Sequence, residues 1–334
     1  MKILFVTVVP VKQGPTGPTS DLASARYRAI IPAAELVSLG HKVHLHSARE
    51  WTKEILDFDC DVMVVSKSLD RANEALAAEV KARGVKLVVD MCDNIFDDWK
   101  YGEHFRAMVE LADVVTCSTE AMAEAIKVRM GRESFVINEP VEGPRGAPRF
   151  APRLPGIKML WFGNLRSLDC VRERIDQLAE ACEVHPLELV LCTLSVPEVK
   201  QLVAELASLN PSRLTTRLVR WSPEATWSAL DECDLVWIPS AAGDFHRTKS
   251  PNRLVETLWA GRVALVDPIP SHAPFEAFVP MGKRLLEAIA ESLEAGPAVE
   301  GRIAEAQRLI ATLHSPRACA LQWVNALSRN GRSA

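Results

Sequence analysis

The chain has 334 residues, of which 48% are hydrophobic and 25% charged, and its formal net charge is −4. This composition is that of a globular protein of about two domains, which excludes a disordered, collagen-like or disulfide-stapled chain. With 39 basic against 43 acidic residues there is no overall basic field, so we expect no nucleic-acid partner. No apolar run reaches the roughly 20 residues of a membrane span, so we expect membrane contact to be at most peripheral.

Two further features concern the compartment. The N-terminal run MKILFVTVVP leads into further prolines and glycines rather than a small-residue cleavage site, so it predicts a buried first strand and not a signal peptide. The eight cysteines are scattered without a C-x-x-C pair, which is typical of reduced core thiols. We therefore expect a cytoplasmic protein.

Short apolar runs alternate with amphipathic stretches in the first part of the chain. The apolar runs predict strands over 2–8, 42–46, 61–66, 85–90, 113–117 and 134–138. The stretches between them predict helices over 23–39, 70–83 and 103–112, and a further helix that begins after Ser118 or Thr119.

The segment 139–156 differs from what precedes it. It contains five prolines and three glycines and has no hydrophobic period. Such a composition predicts a semi-rigid linker between two domains.

The alternation then begins again. The second half predicts strands over 157–162, 187–192, 217–220, 233–238 and 263–267. It predicts helices over 170–182, 196–209, 223–230 and 251–260, and a helical end from 283 with breaks at 296–297 and 315–316.

This organisation predicts an α/β protein with two doubly wound parallel-sheet domains, residues 1–150 and 151–334, facing each other across a cleft. In open sheets of this kind ligands bind beyond the carboxyl ends of the strands. The loops that follow strands are therefore where binding and catalytic residues are expected.

The densest set of candidate binding groups is the segment TKSPNRLVETLWAG, residues 248–261. Ser250 predicts a helix N-cap and Pro251 the first helical position. The first N–H groups of a helix and its dipole attract anions, and Lys249 and Arg253 add two cations. The segment therefore predicts an anion site.

Glu256 lies about one and a half turns further along this predicted helix, on the face that it shares with Asn252 and off the apolar stripe. A carboxylate there accepts hydrogen bonds from a diol beside the bound anion. Phosphate at the helix start and ribose hydroxyls on Glu256 describe a nucleotide. The alternative is a capped surface helix with solvated charges.

Residues 252–266, NRLVETLWAGRVALV, resemble the nucleotide-binding signature of the GT-B glycosyltransferases, specifically the retaining group 4-like set. There a Lys or Arg precedes a Glu by three residues, and Ala-Gly and an apolar strand follow. The resemblance implies two Rossmann-like domains and a last helix (316–330) that crosses back to the first. It implies that Glu256 holds the ribose of a nucleotide-sugar donor and that Arg253 or Lys249 meets the diphosphate.

Weaker resemblances elsewhere follow the family's order along the chain. Residues 161–166, WFGNLR, look like the strand and loop that open the donor domain, so Gly163 and Asn164 are donor-binding candidates and Arg166 a phosphate ligand. Residues 26–43 are similar to the first helix and second strand of the acceptor domain. Arg26 and Arg28 there are candidates for a donor or acceptor phosphate, with a solvated helix face as the alternative.

Asp90 and Asp93 resemble residues of a loop that faces the cleft. They are candidates for acceptor binding or for a general base, and the alternative is that they are turn residues. Asp97 and Asp98 follow, but no His or Cys set joins these acids, so we expect no metal site and no cofactor.

One residue departs from the group 4 pattern. Thr248 stands where the family has a first glutamate beside the donor sugar. Thr248 and His246 are the candidate contacts to the sugar in this loop. The identity of the sugar and the stereochemical outcome stay open.

The resulting prediction is a metal-independent glycosyltransferase of polysaccharide biosynthesis. It moves a sugar from a nucleotide-diphosphate sugar to a hydroxyl of a glycan, glycolipid or lipid-linked acceptor. Lys249, Arg253 and Arg166 stabilise the departing diphosphate, and Ser250, Asn252 and Glu256 complete the donor site. If the reaction inverts configuration, Asp90 or Asp93 is the base.

Two other functions stay open. One is a non-catalytic nucleotide-sugar-binding protein of the same fold, which Thr248 in place of the glutamate allows. The other is a different sugar-nucleotide enzyme, such as an epimerase. A nicotinamide-dependent Rossmann enzyme and a P-loop NTPase lack their glycine-rich fingerprints in this sequence.

Overall fold

The computed structural model describes residues 1–8, 10–14, 17–67, 71–152 and 155–329. Asp70, the first residue of a predicted helix, lies outside these ranges. The strands are β1 (Lys2–Thr7), β2 (Lys12–Gly14), β3 (Gly17–Thr19), β4 (Lys42–Ser47), β5 (Val62–Ser66), β6 (Lys86–Met91), β7 (Val114–Cys117), β8 (Phe135–Val136), β9 (Ile157–Phe162), β10 (Leu187–Thr193), β11 (Leu214–Arg220), β12 (Leu235–Ile238) and β13 (Val263–Val266).

The helices alternate with these strands. They are α1 (Ala23–Ala25), α2 (Ile31–Ser38), α3 (Arg71–Ala82), α4 (Gly102–Leu111), α5 (Glu120–Met130), α6 (Leu168–Arg172), α7 (Ile175–Val184), α8 (Pro197–Leu209), α9 (Pro223–Glu232), α10 (Asp244–Arg247), α11 (Asn252–Trp259), α12 (Leu285–Ala295), α13 (Ala298–Leu313) and α14 (Pro316–Ser328). Within the described residues, no helix combines the length and apolarity that crossing a bilayer requires.

Each predicted strand has a counterpart, and the differences are local. The short hairpin β2–β3 was not predicted, because strands of three residues are too short to show a period. The predicted helix 23–39 contains a π-helical turn, Arg26–Ile30, between α1 and α2. The predicted helix 170–182 is two helices, α6 and α7.

The chain divides into two compact units. The first comprises Met1–Glu142, Arg247–Ser250 and the chain from Thr312 onward, and the second comprises Gly143–His246 and Pro251–Ala311. The first unit thus ends at Glu142, where the sequence predicted a boundary at 150, and the last helix belongs to it.

The first unit is built on a parallel sheet with the strand order β4-β1-β5-β6-β7-β8. Alternate residues of β1 enter two cores, one on each face of the sheet. Leu4 and Val6 pack with residues of α3, α4 and α5 on one face. Ile3 and Phe5 pack on the other face with α2 and α14, where the Trp323 ring meets the Phe5 ring edge-on at 5.5 Å.

The second unit is built on a parallel sheet with the strand order β11-β10-β9-β12-β13. Numbered within the unit, this order is 3-2-1-4-5, as in Rossmann folds. Strands β9, β10, β12 and β13 are short and almost wholly buried, whereas the edge strand β11 is largely exposed or half-buried. Helices on both faces of a sheet explain such continuous apolar runs.

The predicted linker does not lie free. Its residues 143–152, the docked segment, pack along the second unit. The backbone N–H of Gly146 donates to the Trp259 carbonyl, and that of Arg149 donates to the Gly261 carbonyl, both at 2.9 Å. A Cβ built on Gly146 would lie 2.2 Å from the Ala260 carbonyl oxygen. Glycine is therefore required here for close backbone packing, not for flexibility.

Candidate functional site

In the second unit, strand order reverses between β9 and β12, because β10 and β11 lie to one side of β9 and β12 and β13 to the other. Ligands of open α/β sheets bind at such a switch point, at the carboxyl ends of the strands. Gly163 and Asn164 follow β9, and the loop that precedes α11 follows β12. The switch point therefore brings two of the predicted segments to one edge of the sheet.

The loop after β9 is shaped by its own polar groups. Asn164 Oδ1 accepts a hydrogen bond from the Ser167 N–H at 3.2 Å and so caps a 3-10 turn. The Gly163 carbonyl accepts one from Thr193 Oγ1 at 2.8 Å. The Arg166 guanidinium lies over the Phe245 ring, 5.6 Å from its centroid. Asn164 thus shapes the loop, and Arg166 is held at its surface by stacking.

Helix α11 begins one residue later than predicted. Its N-cap residue is Pro251, whose side chain makes no cap hydrogen bond. Ser250 is therefore not the N-cap, which corrects the prediction. The physical reason is that Pro251 takes the flanking conformation (φ −81°, ψ 18°) instead of the first helical turn.

Arg253 places a buried guanidinium nitrogen at this edge of the sheet. Its Nη1 is buried and, within the described residues, has no hydrogen-bond partner. It lies 3.6 Å from the position of a Cβ built on Gly163. Burial lowers the pKa of Arg253, and the neighbouring Cys170 and Glu256 act in the opposite direction. A guanidinium stays charged in proteins, so this edge holds a buried positive charge with an unused donor.

Glu256 lies on the same helix and is only 7% exposed. Leu254, Val255, Thr257 and Leu258 are buried as well. The prediction that Glu256 lies off the buried face is wrong, because the short helix is enclosed on several sides. Replacement of Glu256 by alanine would therefore leave a cavity, and the isosteric glutamine is the better probe.

His272 was not predicted. Its Nδ1–H donates to the Asp267 carbonyl at 2.9 Å, and the residue is 3% exposed. Burial lowers its pKa to about 4. The hydrogen bond to the Asp267 carbonyl opposes this effect, and the charge of Arg253 adds a smaller lowering of the pKa. A neutral imidazole therefore lies within the field of Arg253.

We expect His272 to make the protein less stable in acid. Its folded-state pKa of about 4 lies below the ordinary 6.5, so the unfolded chain binds the proton first as pH falls. The stability it contributes is present above pH 6.5 and is lost as pH falls to about 4, in total about 3 kcal/mol. The variant His272→Asn keeps an amide donor for the Asp267 carbonyl but cannot titrate. In denaturant titrations its free energy of unfolding should therefore fall by about 3 kcal/mol less than that of the wild type between pH 6.5 and pH 4. An unchanged pH dependence would contradict the assignment.

His246 lies on α10, and its Nδ1 is 4.0 Å from the Cys170 sulfur. Cys170 also lies within the field of Arg253, and burial raises the pKa of its thiol. His246 is thereby placed among the second-unit groups around Arg253. The signal that pointed to it was its position in the loop after β12.

In the first unit, Arg28 and Asp90 form a fully buried ion pair. Arg28 Nη2 and Nε donate to the two Asp90 oxygens at 2.6 and 3.0 Å, and both side chains are 0% exposed. Thr116 Oγ1 donates to Asp90 at 2.8 Å, and Ser66 Oγ at 3.3 Å. Asp90 thus has no surface open to an acceptor. We therefore correct its assignment as base, and that of Arg28 as a phosphate ligand, to an internal structural pair.

Arg26 is also engaged internally. Its Nε donates to both oxygens of Glu142 at 2.8 Å, and its Nη1 donates to the Ser20 carbonyl at 2.8 Å. The residue is 4% exposed. Arg26 was predicted to bind a phosphate. Its guanidinium instead binds Glu142 at the end of the first unit.

Asp93 and Lys249 meet in the first unit. Lys249 Nζ donates to Asp93 Oδ1, and Lys67 Nζ forms an ion pair with Asp93 Oδ2. Burial favours the protonated acid, but the two ammonium groups prevail and hold the pKa of Asp93 at about 2. The neighbouring Thr248 offers its carbonyl to Thr119 Oγ1 at 2.9 Å. Lys67 was missed because nothing in its spacing marks it.

The predicted residues therefore fall into two groups, one in each unit. Gly163, Arg253 and Glu256 lie together in the second, and Asp93, Thr248 and Lys249 lie in the first. Among the described residues, no group of three or more His, Cys, Asp or Glu side chains is arranged to hold a metal ion.

Comparisons with known proteins identify the fold. No protein-family model matches the sequence, and no curated protein sequence matches it. Solved structures match over almost the whole chain. HepE from Anabaena in complex with UDP is 16% identical, with 98% of this chain and 100% of that chain covered and a TM-score of 0.71.

Two further structures match in the same way. A structure described as trehalose-6-phosphate from E. coli bound with UDP-2-fluoro glucose is 11% identical, with coverage of 99% and 100% and a TM-score of 0.69. An alpha-glucosyltransferase in complex with UDP-glucose and DNA containing an abasic site is 11% identical, with coverage of 98% and 100% and a TM-score of 0.63. The chain therefore has the GT-B fold of glycosyltransferase structures, with two Rossmann-like units.

Proposed function

We propose that the protein is a glycosyltransferase that moves a sugar from a nucleoside-diphosphate sugar to an acceptor hydroxyl. The observation that carries this proposal is the buried Arg253 Nη1, which has no hydrogen-bond partner among the described residues and lies beside Gly163. A buried charged donor without a partner costs free energy. A diphosphate at the switch point of the sheet supplies both the charge and the acceptor oxygens that a guanidinium requires.

The donor is bound, in this proposal, by α11 and the loop after β9. The N–H groups at the start of α11 and the Arg253 guanidinium meet the diphosphate. Glu256, three residues further along the helix, accepts hydrogen bonds from the ribose hydroxyls. The similar structures contain UDP, UDP-glucose or UDP-2-fluoro glucose, which supports a nucleoside-diphosphate donor with uridine as the first base to test.

The reaction breaks the bond between the anomeric carbon and the diphosphate oxygen, and that electron pair leaves with the diphosphate. A bond forms between the anomeric carbon and the acceptor oxygen. We assign the acceptor proton to the departing diphosphate, because Asp90 is buried in an ion pair and a carboxylate with a pKa of about 2, as in Asp93, is a poor base. This assignment favours retention of configuration.

The finer features are proposed on the same basis. Cationic side chains and the start of α11 carry the leaving charge, so we propose metal-independent transfer, with a rate unchanged by EDTA. The acceptor is proposed to be a glycan or a lipid-linked sugar rather than nucleic acid, since the net charge is −4. All eight cysteines are free thiols, which supports a cytoplasmic location, with membrane contact at most peripheral.

Thermal unfolding in the presence of UDP, GDP, ADP, CMP, dTDP and NAD tests the donor site. A ligand at about 100 times its Kd stabilises the folded state by about 2.7 kcal/mol, which raises the Tm by roughly 5–10 °C. We expect this shift with one diphosphate, and we expect Glu256→Gln to lose most of it. Glu198→Gln, an exposed glutamate in the first turn of α8, is the matched control.

The outcomes separate the candidate functions. A wild-type protein that responds to none of the nucleotides would contradict the donor site. Binding without release of the sugar to water or to any acceptor would favour the non-catalytic alternative. An altered nucleotide-sugar in the absence of acceptor would indicate an epimerase.

A further inference from the structure

Gln307 is a wholly buried polar side chain that meets the end of α11. It lies within α13 and is 0% exposed. Its Oε1 accepts a hydrogen bond from Arg145 Nε at 2.8 Å. Its Nε2 donates to the carbonyls of Gly146, Leu258 and Trp259 at 2.9, 3.1 and 3.0 Å. A buried amide costs free energy unless it is hydrogen-bonded, and here both of its ends are.

The contact with Arg145 determines which end of the Gln307 amide faces the helix. A guanidinium has donors only, so the amide oxygen faces Arg145 and the amide nitrogen faces the carbonyls. Arg145 also lies over the Trp259 ring, 5.6 Å from its centroid. The Trp259 ring nitrogen in turn donates to the Gly143 carbonyl at 3.0 Å. The last residue of α11 is therefore held through both its backbone and its ring.

The carbonyls at the end of α11 are satisfied from outside the helix. The last carbonyls of a helix have no partner within it. The Trp259 carbonyl accepts from Gln307 and from the Gly146 N–H of the docked segment. The Ala260 carbonyl accepts from Arg262 Nη1 at 3.1 Å. Because α11 has only eight residues, it is too short to be stable through its own hydrogen bonds. Groups outside the helix therefore set the position of its end.

We propose that Gln307 is a positioning residue for the donor, which holds the end of α11 so that the Glu256 carboxylate meets the ribose. This inference rests on the proposed function. Glu256 stands three residues before Trp259, and its carbonyl accepts the Ala260 N–H at 2.9 Å, so a shift of the last turn moves Glu256 as well. All of these residues belong to the second unit.

The two ends of α11 have different tasks in this proposal. Arg253 lies in the first turn, where the diphosphate is bound, and Glu256 lies in the last turn and a half, where the ribose is bound. Loss of the Gln307 contacts therefore affects recognition of the ribose hydroxyls more than binding of the diphosphate. A 2′-deoxy nucleotide lacks one of these hydroxyls, so the preference for the ribose form reports the position of Glu256.

The test is calorimetric titration with UDP, GDP and ADP, each compared with its 2′-deoxy form. We expect the wild type to bind one ribose form about tenfold more tightly than its deoxy form, because a hydrogen bond to a carboxylate is lost. In Gln307→Met this preference should fall to about twofold or less, while the Kd for the deoxy form stays within about threefold. In a Glu256→Gln background, Gln307→Met should change either Kd less than about twofold, because residues that act through one group are not additive.

A second variant and a control complete the experiment. Arg145→Met changes an exposed residue and removes the contact that orients the Gln307 amide. It should lower the ribose preference in the same direction, by a smaller factor, with little change in Tm. Gln201→Met is the matched control, since this glutamine is exposed on α8 and donates to Glu205 one turn further on. It should leave the preference unchanged.

The contrary results are distinct. If Gln307→Met weakened the ribose and deoxy forms equally, Gln307 would have a general structural role and the proposal would be overturned. A wild type that binds both forms equally would show that Glu256 does not hold the ribose, which overturns it too. Should Gln307→Met fail to fold, Arg145→Met decides, and an unchanged preference in that variant refutes this inference alone. A wild type that binds none of these nucleotides would refute the proposed function itself.

Discussion

Arg253→Met should remove nucleotide binding and yet leave the ligand-free protein at least as stable as the wild type. The substitution replaces a guanidinium with a buried, unpartnered Nη1 by a shorter, apolar and unbranched side chain. Its removal relieves a desolvation cost. The bound diphosphate would lose its charge-assisted hydrogen bonds in a buried site, which lowers the transfer rate by about 100- to 1,000-fold.

Two measurements check this prediction, the Tm without ligand and the Tm shift with UDP. Arg172→Met is the matched control, since this arginine is exposed and, among the residues that the structure describes, forms an ion pair only with Asp169 three residues before it. The control should keep the UDP shift. If Arg253→Met instead lowers the ligand-free Tm by many degrees while UDP still raises it, Arg253 is a structural residue and the donor site lies elsewhere.

Gly261→Ala should be among the most destabilising single substitutions outside the sheets. Gly261 has a φ of +77°, and a Cβ built on it would lie 2.1 Å from the Ala147 carbonyl oxygen of the docked segment. The left-handed conformation and the steric overlap together cost about 2–5 kcal/mol. We therefore expect the Tm to fall by roughly 5–15 °C.

The control for this substitution is Gly301→Ala. Gly301 lies within α13, and no atom lies within 4 Å of a Cβ built on it. Alanine is favoured over glycine inside a helix by roughly 0.5–1 kcal/mol, so this change should raise the Tm slightly. If the two substitutions changed the Tm equally, the docked segment could move away from the new Cβ at position 261 with no loss of stability.

The parallel sheets could be predicted from the sequence because their strands leave a direct signal. A strand covered on both faces is a short run of apolar residues, as in 62–66 and 235–238. The alternation of such runs with amphipathic helices then predicts two doubly wound units. The candidate donor helix could be predicted as well, since its charges stand at fixed spacings before an apolar strand.

The roles of individual charges could not be predicted in the same way. Asp90 and Asp93 both come at the end of β6, three residues apart, yet one is enclosed by Arg28 and the other meets two lysines. What separates them is the approach of side chains from distant parts of the chain. His272 and Lys67 were missed for the same reason, because a single charged or imidazole side chain in a loop belongs to no repeating sequence pattern.

The docked segment shows a similar limit. Proline and glycine are typical of linkers, but here the glycines permit backbone-to-backbone packing, as the Gly146 and Ala260 carbonyl geometry shows. The proline and glycine content of a segment predicts the conformations that its backbone can adopt. It does not predict which part of the protein the segment packs against.

The position of α14 has a consequence for how the chain is made. Trp323 and Leu327 of this helix complete one core of the first sheet, against Phe5, Ala33 and Leu36. On the ribosome, the second unit is therefore synthesised in full before the first can close its core, although domains commonly finish folding in the order of their synthesis. Until α14 has emerged from the ribosome, the part of this sheet face that Trp323 and Leu327 cover stays exposed to solvent.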